Sequence, residues 1–267
     1  MASLTDVITP RLAGDRYQLH VSDGWRQGRG TFGGLVVGAL VSAIEHHVAD
    51  PARKVRTVTA ELPGPVEPGT VEIAVDTLRR GNNVSTVRAA LSQHGEIRSH
   101  AVAVVAAART GTSGAASWND LSRPAVPPWT EVAPLSLTGR RGAPEFVQNF
   151  EFRVVDGVPW SSATRALGWV RSLDPGAQRG AAYVAAMIDA WWPVGLIRLY
   201  AAGPMVVTIA FTLDLCGGLD GLDPDAPLLY HATAPVCSDG YVLETRQLWG
   251  EDGRLVAVNH QTFVVVG

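Results

Sequence analysis

The residue of this chain best suited to chemistry is a carboxylate inside an apolar helical segment. Asp189 is the only charged residue between Ala181 and Trp192, in the run AAYVAAMIDAWW. A buried carboxylate is costly unless it is paired or hydrogen-bonded, and acids in apolar clefts often mark functional sites. The pattern therefore indicates a general base. The structural alternative is a carboxylate that only reaches solvent at the helix end or caps the next turn.

Two polar side chains in the C-terminal half could act beside this acid. Gln261 lies on an apolar face of its segment, so we expect it to point inward, where an amide needs hydrogen-bond partners. Its neighbours on that face are Leu255, Ala257, Phe263 and Val265. Asn259 shares the face and is the candidate for a purely structural amide. Thr208 has a counterpart in Thr57 of the N-terminal half, and threonine is an ordinary strand residue, so the residue pattern alone assigns it no role.

A glycine-rich segment offers backbone donors rather than side chains. Residues 28–33 match the pattern GxGxxG, but a dinucleotide fold also needs a buried strand before it and a βαβ unit around it. Both are missing from the sequence pattern, so we interpret the match as accidental. Gly33 and Gly34 nevertheless open a predicted helix, where free N–H groups and the helix dipole suit an incoming carbonyl oxygen.

The elements that must position these residues occur twice along the chain. Periodicity and turn glycines predict a helix over 32–48 and another over 181–192, each preceded by strands and followed by an antiparallel meander. The predicted strands are 16–21, 55–62, 70–80, 84–93 and 97–107 in the first half and 151–155, 163–172, 205–215, 228–237, 241–250 and 254–266 in the second. This order is typical of an α+β double hotdog, in which each sheet wraps its own central helix.

The repeat predicts three segments. Residues 1–110 form an N-terminal hotdog repeat and residues 146–267 a C-terminal one. Between them, residues 111–145 are rich in Gly, Ser and Pro and lack periodicity, so they are predicted to be a linker.

Composition excludes several function classes. Of the 267 residues, 46% are apolar and 18% charged, as in an ordinary globular protein. A net charge of −3 gives no electrostatic footprint for nucleic acid or an anionic membrane. Cys216 and Cys237 lie in no metal-binding spacing, so we expect reduced thiols and neither a metal nor another cofactor. Without a signal peptide or an apolar run long enough to span a bilayer, the chain is expected to be cytoplasmic.

Four motifs in order give the chain a resemblance to the acyl-CoA thioesterase II (TesB-like) family. They are RGTFGGLVVGAL, TLRRGNN followed by SQHGE, MIDAWWPVGL, and GRLVAVNHQ. The resemblance covers nearly the whole chain except residues 111–145. It implies a double hotdog that hydrolyses acyl-CoA. It also implies a water held by an acid, a hydroxyl and an amide, which correspond by position to Asp189, Thr208 and Gln261.

The chain departs from the family pattern close to these positions. Ala210 and Phe211 stand where relatives of the bacterial prototype carry an Asp-His pair, Val258 replaces a polar residue before the glutamine, and Thr262 replaces the acid after it. The acyl preference therefore does not carry over with the reaction type.

The expected mechanism is hydrolysis by an activated water. The sequence has no GxSxG nucleophile elbow. Asp189 would take the proton of a water that Thr208 and Gln261 orient, while N–H groups at Gly33 and Gly34 stabilise the oxyanion. Direct attack by Asp189 through an anhydride is the other route. A hotdog enoyl-CoA hydratase or dehydratase would need a histidine beside the acid, which this helix lacks, and a non-catalytic acyl-CoA-binding protein is the remaining alternative.

Aligning the repeats predicts one site per chain, shared between the halves. Val41 falls opposite Asp189 and Ala103 opposite Gln261, so the second potential site lacks its acid and its amide. Because hotdog sheets leave edges that invite pairing, a homodimer or larger homo-oligomer is also expected.

Overall fold

The computed structural model describes residues 2–109, 118–140, 142–177, 179–199, 203, 205–217, 219–223 and 225–266. The N-terminal half contains α1 (Leu4–Ile8), β1 (Arg11–Ala13), β2 (Arg16–Val21), β3 (Arg26–Gln27), β4 (Gly30–Thr31), α2 (Gly33–Val48), β5 (Arg53–Glu61), β6 (Gly69–Arg80), β7 (Val84–Gln93) and β8 (Glu96–Ala107). The C-terminal half contains β9 (Phe150–Asp156), β10 (Arg165–Ser172), α3 (Ala181–Asp189), α4 (Val194–Leu199), β11 (Met205–Leu215), β12 (Leu228–Ser238), β13 (Tyr241–Trp249) and β14 (Leu255–Val266).

The strands confirm the predicted α+β double hotdog but join its two sheets into one. Twelve strands pair in the order β1-β2-β6-β7-β8-β5-β11-β14-β13-β12-β10-β9, and β3 and β4 form a separate hairpin. The halves meet where β5 pairs antiparallel with β11, with Ala60 opposite Phe211 and Val58 opposite Leu213. Helix α2 packs on β5 to β8, and α3 packs on β10, β13 and β14. Each half thus wraps its own helix, within a continuous sheet.

The two helices also pack against each other, at a distance that small residues permit. A Cβ atom at Gly34 would lie 2.8 Å from the carbonyl oxygen of Ala186, and one at Gly38 would lie 3.1 Å from that of Ala182. Both distances are shorter than ordinary carbon–oxygen contacts, so glycine on α2 lets the backbone of α3 approach. This contact explains why residues 34–44 of α2 are buried on every side: the sheet covers one side and α3 covers the other.

The predicted helix 181–192 is wrong at its C-terminal end. Helix α3 stops at Asp189, and a turn through Trp191 and Trp192 leads into α4. Pro193 disfavours the helical conformation for the residue before it, and it then precedes the first residue of α4. Helix α4, α1, β1 and the β3–β4 hairpin were not predicted, because elements of two to six residues are too short to show a period.

Part of the predicted linker packs against the C-terminal repeat. Residues 110–117 lie outside the described residues. Further along, the N–H of Leu135 donates to the carbonyl of Phe152 in β9 at 2.8 Å. Trp129 joins a small second cluster with side chains of β10, β12 and β13, and the indole N–H of Trp169 donates to the carbonyl of Pro127 at 3.0 Å. The division at 110/111 and 145/146 remains a prediction.

Candidate active site

Asp189 is the last residue of α3, and its carboxylate lies at the N-terminus of α2. Its Oδ1 accepts hydrogen bonds from Gln261 Nε2 at 2.8 Å and from Arg246 Nη1 at 2.9 Å. The backbone N–H of Gly34 also donates to the carboxylate. Oδ2 lies on the side of Gly33, where an added Cβ would be only 2.9 Å from it. The acid of one half therefore sits against the helix start of the other, where the helix dipole favours negative charge.

Gln261 and Thr208 complete the group predicted from the sequence. Gln261 points inward from β14, as expected. Thr208 Oγ1 donates to Gln261 Oε1 at 3.1 Å, and Gln261 Nε2 also donates to Asn259 Oδ1 at 3.0 Å. Asn259 in turn donates to the carbonyl of Thr212 at 2.7 Å. Both amide hydrogens of Gln261 are thus engaged, whereas its carbonyl oxygen and the Thr208 hydroxyl can each still accept a hydrogen bond from a water.

Two charged residues that sequence reasoning missed stand behind Asp189. Arg246 of β13 has a side chain only 1% exposed, and its Nε donates to Glu244 Oε1 at 2.8 Å. The Glu244 side chain is 0% exposed, and its Oε2 accepts the backbone N–H of Val194 at 2.7 Å. A signal for both was present, because the alternation of Val242, Glu244, Arg246 and Leu248 puts the two charges on the apolar face of the strand.

Burial raises the pKa of Asp189 above its ordinary value, and this effect outweighs the lowering by the Arg246 charge and by the hydrogen bonds from Gln261, Arg246 and Gly34. Burial likewise raises the pKa of Glu244. The two carboxyl groups differ in access, because the Asp189 side chain is 10% exposed and that of Glu244 is sealed. Of the two, only Asp189 can meet a substrate, and a carboxylate with a raised pKa is a better base than an ordinary one.

The glycine donors are partly engaged within the protein. The N–H of Gly34 bonds to Asp189, so it positions the acid. The N–H of Gly33 reaches Gln27 Oε1 at 3.4 Å, a long hydrogen bond to an exposed side chain. Of the two donors predicted for an oxyanion, Gly33 has the partner that is easier to displace.

A second carboxylate lies at the opposite end of the α2–α3 contact, where the C-terminal part of α2 meets the start of α3. Glu45 of α2 accepts hydrogen bonds from the backbone N–H groups of Ala181 and Ala182 at the start of α3. The expectation that only one helix brings an acid to this interface is therefore wrong. The alignment by helix starts placed Val41 opposite Asp189, but α2 has 16 residues and α3 has 9, so equal offsets do not mark equivalent ends.

The environments of the two acids differ. In the second half, Glu244 lies opposite Gln261 and Arg246 lies opposite Asn259. The equivalent strand pairs of the first half are Val87 with Ala103 and Ala89 with Ala101. All four residues of the first half are small or apolar and fully buried. Glu45 thus caps a helix without the guanidinium and amides that surround Asp189.

Aromatic side chains follow the acid in sequence. Trp191 stacks on Tyr230 with ring centroids 5.0 Å apart and packs edge-on against Phe152. Trp192 donates from its indole N–H to the carbonyl of Gly157 at 2.7 Å. Trp191 and Tyr230 are almost fully buried, so they form part of the core behind Asp189.

No group of His, Cys, Asp and Glu within the described ranges could hold a metal ion. None of the helices in the same ranges is both long and apolar enough to cross a membrane.

Two models of one protein family match most of the chain. Residues 21–111 match the model of the acyl-CoA thioesterase N-terminal domain, and residues 119–265 match that of the acyl-CoA thioesterase C-terminal domain. No protein of curated function has a significantly similar sequence.

Solved structures share the whole fold. A conserved protein of unknown function with a hot dog fold from Alicyclobacillus acidocaldarius is 20% identical, with a TM-score of 0.88 over 100% of this chain and 99% of that one. A putative thioesterase II from Thermobifida fusca YX is 20% identical, with a TM-score of 0.81 over 98% and 97%. The acyl-CoA thioesterase II TesB2 from Mycobacterium marinum is 20% identical, with a TM-score of 0.77 over 98% of each chain. At such identities the likeness establishes the fold.

Proposed function

The chain belongs to the acyl-CoA thioesterase family, and we propose that it hydrolyses acyl-CoA thioesters to a free acid and CoA. The observation that carries this proposal is the hydrogen-bonded chain from Thr208 through Gln261 to Asp189. These three residues come from two strands and a helix, and Asp189 lies at the start of α2. An acid, an amide and a hydroxyl in contact are the groups needed to orient and deprotonate one water.

In the proposed reaction, a water donates one hydrogen bond to Asp189 Oδ2 and the other to the carbonyl oxygen of Gln261, which the Thr208 hydroxyl holds in place by its own hydrogen bond. Asp189 takes a proton while the water oxygen bonds to the thioester carbonyl carbon. The resulting oxyanion accepts a hydrogen bond from the N–H of Gly33, which gives up its hydrogen bond to Gln27. The C–S bond then breaks, and the proton passes to the departing CoA thiolate, so the products are a carboxylic acid and free CoA. Water is the second reactant, and the proposed reaction needs no cofactor.

We propose that the chain works as a homodimer or larger homo-oligomer, and that a second copy covers the outer face of β11 to β14. Five large apolar side chains on this face are between 44% and 59% exposed, more apolar surface than scattered single residues explain. Strand register places them side by side. Strands β6 to β8 of the first half expose Leu78, Val84 and Ile97 but also carry ion pairs such as Arg88 with Asp76. The five residues are Met205, Val207, Val236, Tyr241 and Leu243.

The test of the proposed reaction is thiol release from a panel of acyl-CoAs that varies chain length, branching and aromatic character. Hydrolysis by the wild type and its loss in Asp189→Asn would support the proposal. Acyl-CoA binding without thiol release would favour a binding protein. Hydration of an enoyl-CoA without thiol release would favour a hydratase. Trapping of an acyl group on Asp189 by hydroxylamine would indicate the anhydride route. The cytoplasmic location stays a prediction from the sequence.

A further inference from the structure

Three buried charged side chains form a line from the proposed site into the protein. Arg246 Nη1 lies 2.9 Å from Asp189 Oδ1, and Arg246 Nε lies 2.8 Å from Glu244 Oε1. Arg246 also donates to the carbonyl of Ile188 at 3.2 Å, the residue before the acid. Glu244 is anchored in turn by the first N–H of α4. The guanidinium is thus fixed to both the side chain and the backbone around Asp189.

The arrangement saturates one oxygen of the acid and leaves the other facing the helix start. Arg246 and Gln261 both donate to Oδ1. Oδ2 therefore points towards Gly33, the side on which the oxyanion donor lies. A carboxylate held by one oxygen in this way cannot rotate without losing two hydrogen bonds.

The positive charge also matters for the protonation of the acid. A carboxylate that is 10% exposed among apolar side chains would favour its neutral form without a counter-charge. Tyr230 on β12 also interacts with the Asp189 charge, and Glu244 lies two residues before Arg246 on β13. Burial raises the pKa of Tyr230 well above its ordinary value, so it stays neutral. Of these groups, Arg246 is the one that favours the ionised acid.

We propose that Arg246 is a positioning residue for the hydrolysis, which keeps Asp189 ionised and directs its Oδ2 towards the substrate, and that Glu244 holds Arg246 in place. This inference rests on the proposed function. Arg246 acts through Asp189 rather than on the substrate, since its side chain is 1% exposed.

The test compares the pH dependence of kcat in the wild type and in the double variant Glu244→Gln/Arg246→Met. The double change removes the guanidinium without leaving Glu244 as an unpaired buried charge, which would itself unfold the protein. The chain offers a matched control in Glu151 and Arg153, an ion pair with the same spacing on β9 at 2.8 Å. The control variant is Glu151→Gln/Arg153→Met.

We expect the acid limb of the profile, where kcat falls as Asp189 takes up a proton, to move to higher pH by about one unit or more in the Arg246 double variant. Activity should be lost most at low pH and partly regained above the new limb. The control should keep the wild-type limb, even if it is less stable. An Arg246 double variant that loses activity equally at every pH, with the limb in place, would show a merely structural role and overturn the inference.

Arg246→Lys provides a second test that does not depend on folding of the double variant. Lysine keeps the charge but not the fork that binds both partners. Its limb should stay within about half a pH unit of the wild type while kcat falls about tenfold. A limb displaced by a full unit in this variant would overturn the inference. If the wild type released no thiol from any acyl-CoA, the proposed function would fail first, an outcome distinct from hydrolysis with an unmoved limb.

Discussion

Asp189→Asn is the variant that most directly tests the proposed base, and the structure gives its expected effects. The asparagine carbonyl oxygen can replace Oδ1 and keep the hydrogen bonds from Gln261 and Arg246. Its NH2 group then takes the place of Oδ2 near the start of α2, where it faces the backbone N–H groups of the first helical turn, which are donors as well. One unsatisfied donor there costs about 1–3 kcal/mol.

A second effect offsets part of that loss of stability. In the wild type, two buried carboxylates share one guanidinium, whereas in Asp189→Asn the pair of Glu244 and Arg246 is balanced. We therefore expect the variant to remain folded. Its kcat for thiol release should nevertheless fall by about 10²-fold or more, because no general base remains. Asp76→Asn, which alters an exposed acid paired with Arg88, is the control and should keep full activity.

The pH dependence of stability distinguishes a buried acid from a solvated one. Since burial raises the pKa of Asp189 in the folded protein, the folded state binds this proton more tightly than the unfolded chain. The free energy of unfolding of the wild type should then fall as pH rises between the unfolded and folded pKa, and Asp189→Asn should lack this term. Urea unfolding of both proteins between about pH 4 and pH 8 measures the difference. A turnover near the wild-type value, or a stability difference independent of pH, would refute the reasoning.

Three further predictions concern packing, site number and assembly. Gly34→Ala should destabilise the fold by about 1–3 kcal/mol in urea unfolding, and Gly38→Ala by less, because the added methyl meets α3 at 2.8 Å in one case and 3.1 Å in the other; equal losses would contradict the packing. Glu45→Gln should keep thiol release and the binding of one equivalent of a non-hydrolysable acyl-CoA analogue per chain by calorimetry, and two equivalents in the wild type would refute the single site. The wild type should have at least a dimer's mass by light scattering, and Leu243→Glu should lower this mass while Ile97→Glu, an exposed apolar residue on β8, should not; a monomeric wild type would exclude the proposed assembly.

The role of Gly34 changes once its surroundings are known. On the sequence alone, a bulky residue at this position, such as valine, would block the approach of a thioester to the backbone of the helix start. In the structure, a Cβ there would meet the ring of Phe32 and the carbonyl of Ala186, so Gly34→Val would disturb the contact between the helices before it could report on a substrate. A loss of turnover in that variant would therefore not identify an oxyanion donor.

The fold and the contact of the three predicted site residues followed from local signals and from the family resemblance. Alternation along a strand fixes which side chains face inward, and Gln261 obeys it. The same rule also holds for Glu244 and Arg246, yet charged residues on a strand are usually taken to face solvent. Their burial becomes understandable only when both charges are seen to satisfy each other and Asp189.

Other features depend on contacts that no local pattern encodes. The pairing of β5 with β11 joins strands that are separated along the chain by β6, β7 and β8 of the first half and by β9, β10, α3 and α4 of the second. Either strand could have paired elsewhere. The end of α3 was signalled by Pro193 but masked by the apolar run before it. Glu45 was overlooked because its partners, the first N–H groups of α3, lie in the other half of the chain.

The difference between the two halves bears on why the charges are present. Where the second half has Gln261, Arg246 and Glu244, the first has Ala103, Ala89 and Val87, all fully buried, and the same backbone forms around them. The fold therefore does not require the charges. A buried ion-pair cluster is seldom more stable than well-packed apolar side chains of similar volume. Replacing Glu244 and Arg246 by apolar residues, together with Asp189→Asn, should thus leave a protein at least as stable as the wild type by urea unfolding, but without thiol release. A triple variant that unfolds instead would show that the cluster serves the fold of the second half rather than its chemistry.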